Sequence, residues 1–270
     1  MSQVNAAPLA SAADAGRLVR DVGLARGGDR AALSRALTLI DNGAEVSGEM
    51  AAEWEAAARH AHRVGLTGAP GAGKSTLASA LIGEFLRRGQ SIAVLAVDPS
   101  SPLTGGAVLG DRVRMAEHAD DPRVFIRSMA SRGNSGGIGA ATGVSALLLA
   151  TCKYDTVLIE TVGTGQSEVA IGRVVDTIIV AVPPGAGDEV QALKAGVLEI
   201  ANVLVVTKSD QPAAERTANE LTSSLSLRTR GGGDVPVVQV CAPKQQGVAA
   251  LVDALERQRP LSTEKKGGVR

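Results

Sequence analysis

The amino-acid sequence predicts an α/β fold in which a mostly parallel sheet carries helices on both faces, with a small helical extension at the N-terminus. From residue 64 onward, short runs of Val, Ile and Leu alternate with alanine-rich or amphipathic segments. This alternation is typical of buried parallel strands joined by helices. The 270 residues are 44% hydrophobic, which is enough apolar surface for one large domain. We assign residues 1–62 to the helical extension, 63–258 to the α/β domain and 259–270 to a flexible tail.

The N-terminal extension has the spacing of amphipathic helices. Leu33, Leu37 and Ile40 recur at helical intervals between Asp29, a candidate capping residue, and Gly43, a candidate stop. A second apolar stripe follows another candidate cap: Ser47, then Met50, Trp54 and Ala61. We expect a helical layer that packs on the main domain and has no catalytic role.

Strands and helices alternate through the rest of the chain. After a first strand at 64–67, strands are predicted at 91–97, 124–129, 156–160, 177–182, 203–207 and 237–240. Helices are predicted at 75–88, 137–152, 189–200 and 213–225. Ligands of parallel sheets bind beyond the carboxyl ends of the strands. The glycine-rich, acidic and polar motifs of this chain all follow predicted strand ends, which predicts one shared site.

A glycine-rich loop follows the first predicted strand and leads into a helix. Its predicted phosphate-binding residues are Gly68, Ala69, Pro70, Gly71, Ala72, Gly73, Lys74, Ser75 and Thr76. Glycines let backbone N–H groups curl around phosphates, and the N-terminus of the helix faces them with its positive end. Lys74 is expected to reach the β- and γ-phosphate oxygens, and Ser75 offers a hydroxyl to Mg²⁺. The alternative, a turn that binds nothing, fits the strand–loop–helix context poorly.

Three carboxylates are candidates for work beside the phosphates. Asp98 and Glu160 end predicted strands, and Asp111 lies in the loop after Asp98. Together with Ser75 they can converge on Mg²⁺, which takes hard oxygen ligands directly or through water. Asp98 or Glu160 could also orient the attacking water, so both join Lys74 as candidate catalytic residues. Taken alone, Asp98 could equally cap a turn.

Two further segments are predicted to read the nucleotide base. Residues 207–210 are a variant of the guanine-specifying Asn-Lys-x-Asp motif, in which Thr207 replaces asparagine and Lys208 and Asp210 are retained. The carboxylate can accept hydrogen bonds from guanine N1–H and the 2-amino group, whereas adenine would leave this charged acceptor unsatisfied. After the last strand, a backbone N–H could meet guanine O6 in the segment Cys241, Ala242 and Pro243. Gly163, in the loop after Glu160, is a further candidate for nucleotide binding.

Composition excludes several functions. Lys plus Arg and Asp plus Glu both number 28, and only 1% of residues are aromatic. We therefore expect neither the basic field nor the stacking platform of a nucleic-acid-binding protein, and no attraction to acidic membranes. No apolar run approaches the ~20 residues of a membrane span, and residues 1–15 lack the features of a signal peptide, so we expect a cytoplasmic protein. Cys152 and Cys241 are expected to be reduced thiols, and His60 and His62 to be solvated residues at a helix end.

These motifs taken together resemble the MeaB/ArgK-type GTPases, which are G-protein chaperones of adenosylcobalamin-dependent acyl-CoA mutases. The matching segments are GAPGAGKST, AVLAVDPSSPLTGGAVLGDRVRM, FIRSMASRG, ETVGTGQSE and PPGAGDEVQALKAG. They extend from residue 64 to about residue 255, and the second and fifth segments are much more specific than a phosphate loop alone.

The resemblance implies a GTPase of the SIMIBI class, which includes the signal-recognition-particle and MinD proteins. It implies GTP or GDP and Mg²⁺ as cofactors, switch I at 98–111, switch II at 160–168 and an additional switch III at 185–194. In switch III the implied partner-sensing residues are Asp188, Gln191 and Lys194. The implied partner is the cobalamin-binding subunit of a mutase, with an adenosyltransferase as a further partner. GTP hydrolysis would gate cofactor delivery or removal and be slow until the partner orders the switches.

Some features depart from the family pattern and leave alternatives open. Thr207 stands where the family usually has asparagine. The chain ends soon after a predicted helix at 248–256, so we expect the C-terminal arm through which many members dimerise to be absent, and a monomer or a different homodimer to form. Methylmalonyl-CoA and 2-hydroxyisobutyryl-CoA mutases are both candidate partners. One alternative is a nickel-insertion GTPase, which would need Cys or His ligands near the switches; the two cysteines and three histidines do not supply them. Another is an ATP-dependent small-molecule kinase, which the Thr207–Asp210 segment disfavours.

Overall fold

The computed structural model of the chain describes residues 12–98, 115–130, 138–161, 170–185, 197–226 and 235–260. Seven parallel strands form one sheet in the order β3-β2-β4-β1-β5-β6-β7. The strands are β1 (His62–Gly68), β2 (Ile92–Asp98), β3 (Val124–Ala130), β4 (Thr156–Glu160), β5 (Thr177–Val182), β6 (Val203–Val206) and β7 (Val237–Gln239). This parallel arrangement confirms the predicted α/β class.

Helices cover both faces of the sheet. They are α1 (Ala12–Arg26), α2 (Arg30–Asp41), α3 (Gly48–Ala57), α4 (Lys74–Arg87), α5 (Ala140–Thr151), α6 (Val197–Ile200), α7 (Ala214–Ser226) and α8 (Val248–Arg257). Short 3₁₀ turns occur at Ala58–His60, Ala116–His118 and Ala242–Lys244. Among the described residues, no helix is both long and apolar enough to cross a membrane.

The core has two layers because successive side chains of each strand point to opposite faces. In β2 the alternate residues belong to different clusters: Ile92, Val94 and Ala96 to the first, and Ala93, Leu95 and Val97 to the second. The first cluster packs under α4 and α8, and the second under α5 and the three N-terminal helices. Helix α7 covers a third cluster over β5 and β6. The N-terminal helices therefore share a core with the sheet.

The predicted caps of the N-terminal helices are present. The Asp29 carboxylate accepts a hydrogen bond from the Ala32 N–H at 2.9 Å, and the Ser47 hydroxyl accepts one from Met50 at 3.2 Å. Gly43 has φ +93°, the left-handed conformation that ends helices at glycine. These contacts satisfy backbone donors that the first turn leaves without an intrahelical partner. The stripe of Leu33, Leu37 and Ile40 is buried as predicted. In the second stripe Trp54 is 1% exposed and Met50 is partly buried, whereas Ala61 is buried but lies beyond the end of α3.

Element boundaries differ from the sequence predictions in several places. The strand predicted to end at residue 207 ends at Val206, and the helix predicted from residue 137 begins at Ala140. Of the helix predicted at 189–200, the described part is Val197–Ile200. The assignment of His62 to a solvated helix end is wrong. His62 begins β1, is 3% exposed, and its Nε2 lies 2.7 Å from the Thr177 hydroxyl. A polar residue at a strand start gives no periodic signal that could distinguish it from a helix end.

Candidate nucleotide-binding site

The loop between β1 and α4 has a backbone that requires glycine. Gly68 has φ +139°, and a Cβ atom there would lie 2.2 Å from the carbonyl oxygen of Ala181 on β5. Gly71 and Gly73 also have left-handed φ values, of +74° and +85°. Residues with a Cβ atom rarely adopt such angles. The glycine spacing read in the sequence therefore corresponds to a tight loop pressed against the neighbouring strand.

Lys74 opens α4 and turns back over this loop. Its ammonium group donates hydrogen bonds to the carbonyl oxygens of Gly68 at 2.8 Å and Ala69 at 3.0 Å. The side chain is buried at the N-terminal end of α4, where helix N–H groups point outward. A cation beside these N–H groups makes this end of the sheet suitable for an anion.

Ser75 and Glu160 bring two oxygen groups together beside the loop. The Ser75 hydroxyl donates to Oε1 of Glu160 at 2.7 Å, and both side chains are buried. Glu160 ends β4, which pairs with β1 and β2, so the sheet itself places the carboxylate next to the start of α4. A hydroxyl and a carboxylate are ligands that Mg²⁺ prefers, so these residues fit that ion.

Two further residues, Asp98 and Asp111, were predicted to bind the metal. The backbone of the first is described, and the second lies outside the described residues. Ala96 of β2 pairs with Glu160 in the sheet register, so Asp98, which ends β2, lies at the same carboxyl edge. Gly163 also lies outside the described residues, as does Asp111. The same holds for the predicted switch III residues Asp188, Gln191 and Lys194. Within the described ranges, no group of three or more His, Cys, Asp or Glu side chains is arranged to hold a metal ion.

The specificity segment, residues 207–210, is fastened to the phosphate loop. The Thr207 hydroxyl donates to the Ala72 carbonyl at 2.7 Å and lies 3.3 Å from the Val182 carbonyl. Lys208 has φ +48°, and its ammonium donates to the Gly71 carbonyl at 2.9 Å. The hydroxyl of Thr207 therefore makes a link to the loop that does not require an asparagine amide.

The closing turn, residues 241–246, lies beside the specificity segment. The Ser209 N–H donates to the Val240 carbonyl at 3.2 Å, and Nζ of Lys244 lies 3.0 Å from Oδ2 of Asp210. The ammonium of Lys244, and then the Cys241 thiol, lower the pKa of Asp210 from its usual value. The fold thus joins two segments that the sequence could only propose to be neighbours.

Thr217 is a residue of interest that sequence reasoning missed. Its hydroxyl accepts a hydrogen bond from the Gly185 N–H at 3.2 Å and donates to the Ala213 carbonyl at 3.0 Å. Gly185 is the first residue of the predicted switch III. Thr217, on α7, therefore anchors the start of that segment by a hydrogen bond. The signal available in the sequence was a threonine at the same helical spacing as the apolar residues Ala214, Ala218 and Leu221.

A parallel sheet whose first strand runs through a glycine-rich loop into a helix beginning Lys-Ser defines the class of P-loop nucleotide-binding proteins. A sequence model of the family described as "Methylmalonyl Co-A mutase-associated GTPase MeaB" matches residues 33–268. The chain belongs to this family. It is a P-loop GTPase, and guanine nucleotides are the ligands that membership implies.

Relatives of known sequence are consistent with this assignment. A putative GTPase of Pyrococcus abyssi is 43% identical over 236 residues, which are 86% of this chain and 73% of that protein. The mitochondrial methylmalonic aciduria type A homolog of Mus musculus is 40% identical over 72% of this chain and 48% of its own length. Among solved structures, one titled LAO/AO transport system kinase superposes with a TM-score of 0.71 at 28% identity, covering 93% of this chain and 76% of that one.

Proposed function

We propose that this chain uses GTP binding and hydrolysis to gate adenosylcobalamin delivery to a cobalamin-dependent acyl-CoA mutase and to protect that enzyme. The observation that carries the proposal is the match of residues 33–268 to a GTPase family whose description names methylmalonyl-CoA mutase. The name of the mouse relative, a methylmalonic aciduria protein homolog, supports the same area of metabolism. Methylmalonyl-CoA and 2-hydroxyisobutyryl-CoA mutases are the candidate partners.

The phosphate loop and its neighbours are proposed to hold the triphosphate. The backbone N–H groups of residues 68–76 would surround the phosphates, and Lys74 would exchange carbonyl contacts for phosphate oxygens. Ser75 and Glu160 would hold Mg²⁺, with Asp98 and Asp111 as further ligands directly or through water. When bound, the ion would neutralise part of the charge on the β- and γ-phosphate oxygens. Asp98 or Glu160 would orient the attacking water.

The specificity segment and the closing turn are proposed to hold guanine. Asp210 would accept from N1–H and the 2-amino group, while Ala242 and its neighbours Cys241 and Pro243 would lie at the O6 edge. Thr207 and Lys208 would act through the phosphate loop, because both donate to its carbonyl groups. Base recognition and phosphate binding would thereby be mechanically joined through main-chain atoms.

Two of the predicted switches begin at residues with defined side-chain contacts. Glu160 is the first residue of switch II and is hydrogen-bonded to Ser75. A change in what Ser75 binds would therefore displace the start of switch II. Gly185 starts switch III and is held by Thr217. We propose that Asp188, Gln191 and Lys194 carry the nucleotide state to the mutase, which is the order–disorder type of switching.

A capture experiment with a defined outcome tests the chaperone role. The wild-type chain is loaded with GDP or with a non-hydrolysable GTP analogue and exposed to an extract of its own cells. We expect a cobalamin-dependent mutase subunit, with or without an adenosyltransferase, to be retained in a nucleotide-dependent manner. Retention of a hydrogenase or urease component without a mutase would refute the proposal. The recovered mutase, once purified, should accelerate GTP turnover, and the mass of the free chain in solution distinguishes a monomer from a homodimer.

A further inference from the structure

Lys244 contacts the carboxylate that is proposed to read guanine. Its Nζ lies 3.0 Å from Oδ2 of Asp210. Lys244 and Cys241 belong to the closing turn, whereas Asp210 ends the specificity segment. We propose that Lys244 is a specificity-positioning residue that fixes the orientation of the Asp210 carboxylate before a base arrives. This inference rests on the proposed role of Asp210 in guanine recognition.

The backbone that carries Lys244 is held firmly. Cys241 and Gln246 exchange two backbone hydrogen bonds, of 3.0 and 3.2 Å, and the Lys244 N–H donates to the Cys241 carbonyl at 3.1 Å. Gly247 follows with φ +76°, where a Cβ atom would lie 2.0 Å from the Gln239 carbonyl oxygen. Because the turn is closed at both ends, Lys244 has only its side-chain torsions to set when it reaches Asp210.

The backbone on the Asp210 side is held in a comparable way. Lys208 adopts a left-handed φ of +48° and accepts a backbone hydrogen bond from Gln211 at 3.0 Å. Ser209 donates to Val240, the residue directly before the closing turn, at 3.2 Å. The two loops therefore meet in a defined register, and the ion pair is the side-chain contact at the end of that register.

Fold stability does not explain this pair well. The side chains of Lys244 and Asp210 are 55% and 39% exposed, and ion pairs with such exposure contribute little to folding. For ligand binding, however, a carboxylate that is already oriented has less conformational freedom to lose. A carboxylate oxygen has two lone pairs, so Oδ2 can accept from Lys244 and from guanine at the same time.

The same fixed orientation would work against adenine. Adenine presents an acceptor at N1, which would face the carboxylate of Asp210 lone pair to lone pair. A carboxylate free to rotate could turn away and reduce this repulsion, whereas one held by Lys244 cannot do so easily. Lys244 would therefore raise the preference for guanine in two ways, through preorganisation for guanine and through rejection of adenine.

The test measures the dissociation constants of GDP and ADP by titration calorimetry for the wild type and three variants. Lys244→Gln should weaken GDP binding about fivefold, the scale of one partly exposed charge contact, and ADP binding clearly less, so the ratio of the two constants changes. Lys244→Arg should restore the ratio. The matched control is Lys153→Gln. Lys153 is exposed and precedes β4, at the amino ends of the strands and therefore away from the proposed site, so this variant should bind as wild type.

Two results would overturn the role of Lys244. One is unchanged binding of both nucleotides by Lys244→Gln, and the other is equal weakening of both, which would indicate a general structural or phosphate effect. A double-mutant cycle adds a check on mechanism. If Lys244 acts through Asp210, adding Lys244→Gln to Asp210→Asn should cause no further loss of GDP affinity. An Asp210→Asn variant that binds GDP normally would instead refute the proposed guanine site itself, which is a separate failure.

Discussion

The two ends of β1 hold their cations with different kinds of partner. At the amino end, Arg63 pairs with the carboxylates of Asp176 and Glu55 at 3.1 and 3.2 Å, largely out of solvent. At the carboxyl end, Lys74 and Lys208 donate to main-chain carbonyl oxygens of the phosphate loop. Both kinds of hydrogen bond are charge-assisted, but only the contacts of Arg63 join two opposite charges.

This difference separates a structural network from an exchangeable one. A lysine on a neutral carbonyl loses little when it turns to a charged phosphate oxygen. Arg63, in contrast, could leave its carboxylates only at the cost of leaving buried charges without the opposite charge. One end of the strand is therefore expected to respond to nucleotide and the other to remain fixed. Variants at the two ends can break or sharpen this contrast.

The largest effect is expected for Lys74→Gln. The variant loses the ammonium group proposed to meet the developing charge on the γ-phosphate, so GTP turnover should fall about 10²- to 10³-fold. Phosphate release at saturating GTP measures it. Lys153→Gln, with the same chemical change at a remote exposed position, should keep wild-type turnover. Normal turnover by Lys74→Gln would exclude this lysine from the reaction.

Arg63→Met should have the next largest effect, on stability and not on binding. The substitution keeps the apolar stem but leaves Asp176 buried without its guanidinium, so the free energy of unfolding should fall by about 3 kcal/mol. Denaturant titration measures this, and GDP affinity at low denaturant should be unchanged. The control Arg216→Met removes an exposed helix-surface pair with Glu220 and should be nearly neutral. A loss of GDP binding without a loss of stability would contradict the contrast.

Asp210→Asn should change which base is bound. GDP affinity should fall about 10²-fold, because the amide cannot accept from both guanine donors. Affinity for a xanthine nucleotide should rise, because the amide N–H can donate to the 2-carbonyl group. Competition between the two nucleotides measures the switch directly. An unaltered preference for guanine would show that another residue reads the base.

Thr207→Val should have the smallest effect of the four. Valine keeps the shape but removes the donor to the Ala72 carbonyl, so the free energy of unfolding should fall by about 1 kcal/mol, and GDP affinity should fall with it. Thr207→Ser keeps the hydroxyl and is the matched control. If valine left both quantities unchanged, the hydrogen bond to Ala72 would contribute nothing. A loss in serine alone would indicate that packing of the methyl group matters instead.

Much of the fold was predictable because local signals agreed with the final structure. Three such signals each depend on a few consecutive residues. They are the continuous apolar run of β2, the caps Asp29 and Ser47, and the glycine spacing of the phosphate loop. Family membership was also accessible, because several long motifs matched at once. The prediction that His62 is solvated failed because its hydrogen-bond partner, Thr177, lies far away in the sequence.

By itself, the sequence determined the α/β class, the position of the phosphate loop and the set of polar residues at the strand ends, since each is encoded by local composition and order. Only the tertiary structure decided which of those residues meet. The parallel register places Glu160 beside Ser75, and the adjacency of β6 and β7 places Lys244 on Asp210. Contacts between residues distant in sequence depend on strand order and packing, which no local pattern specifies.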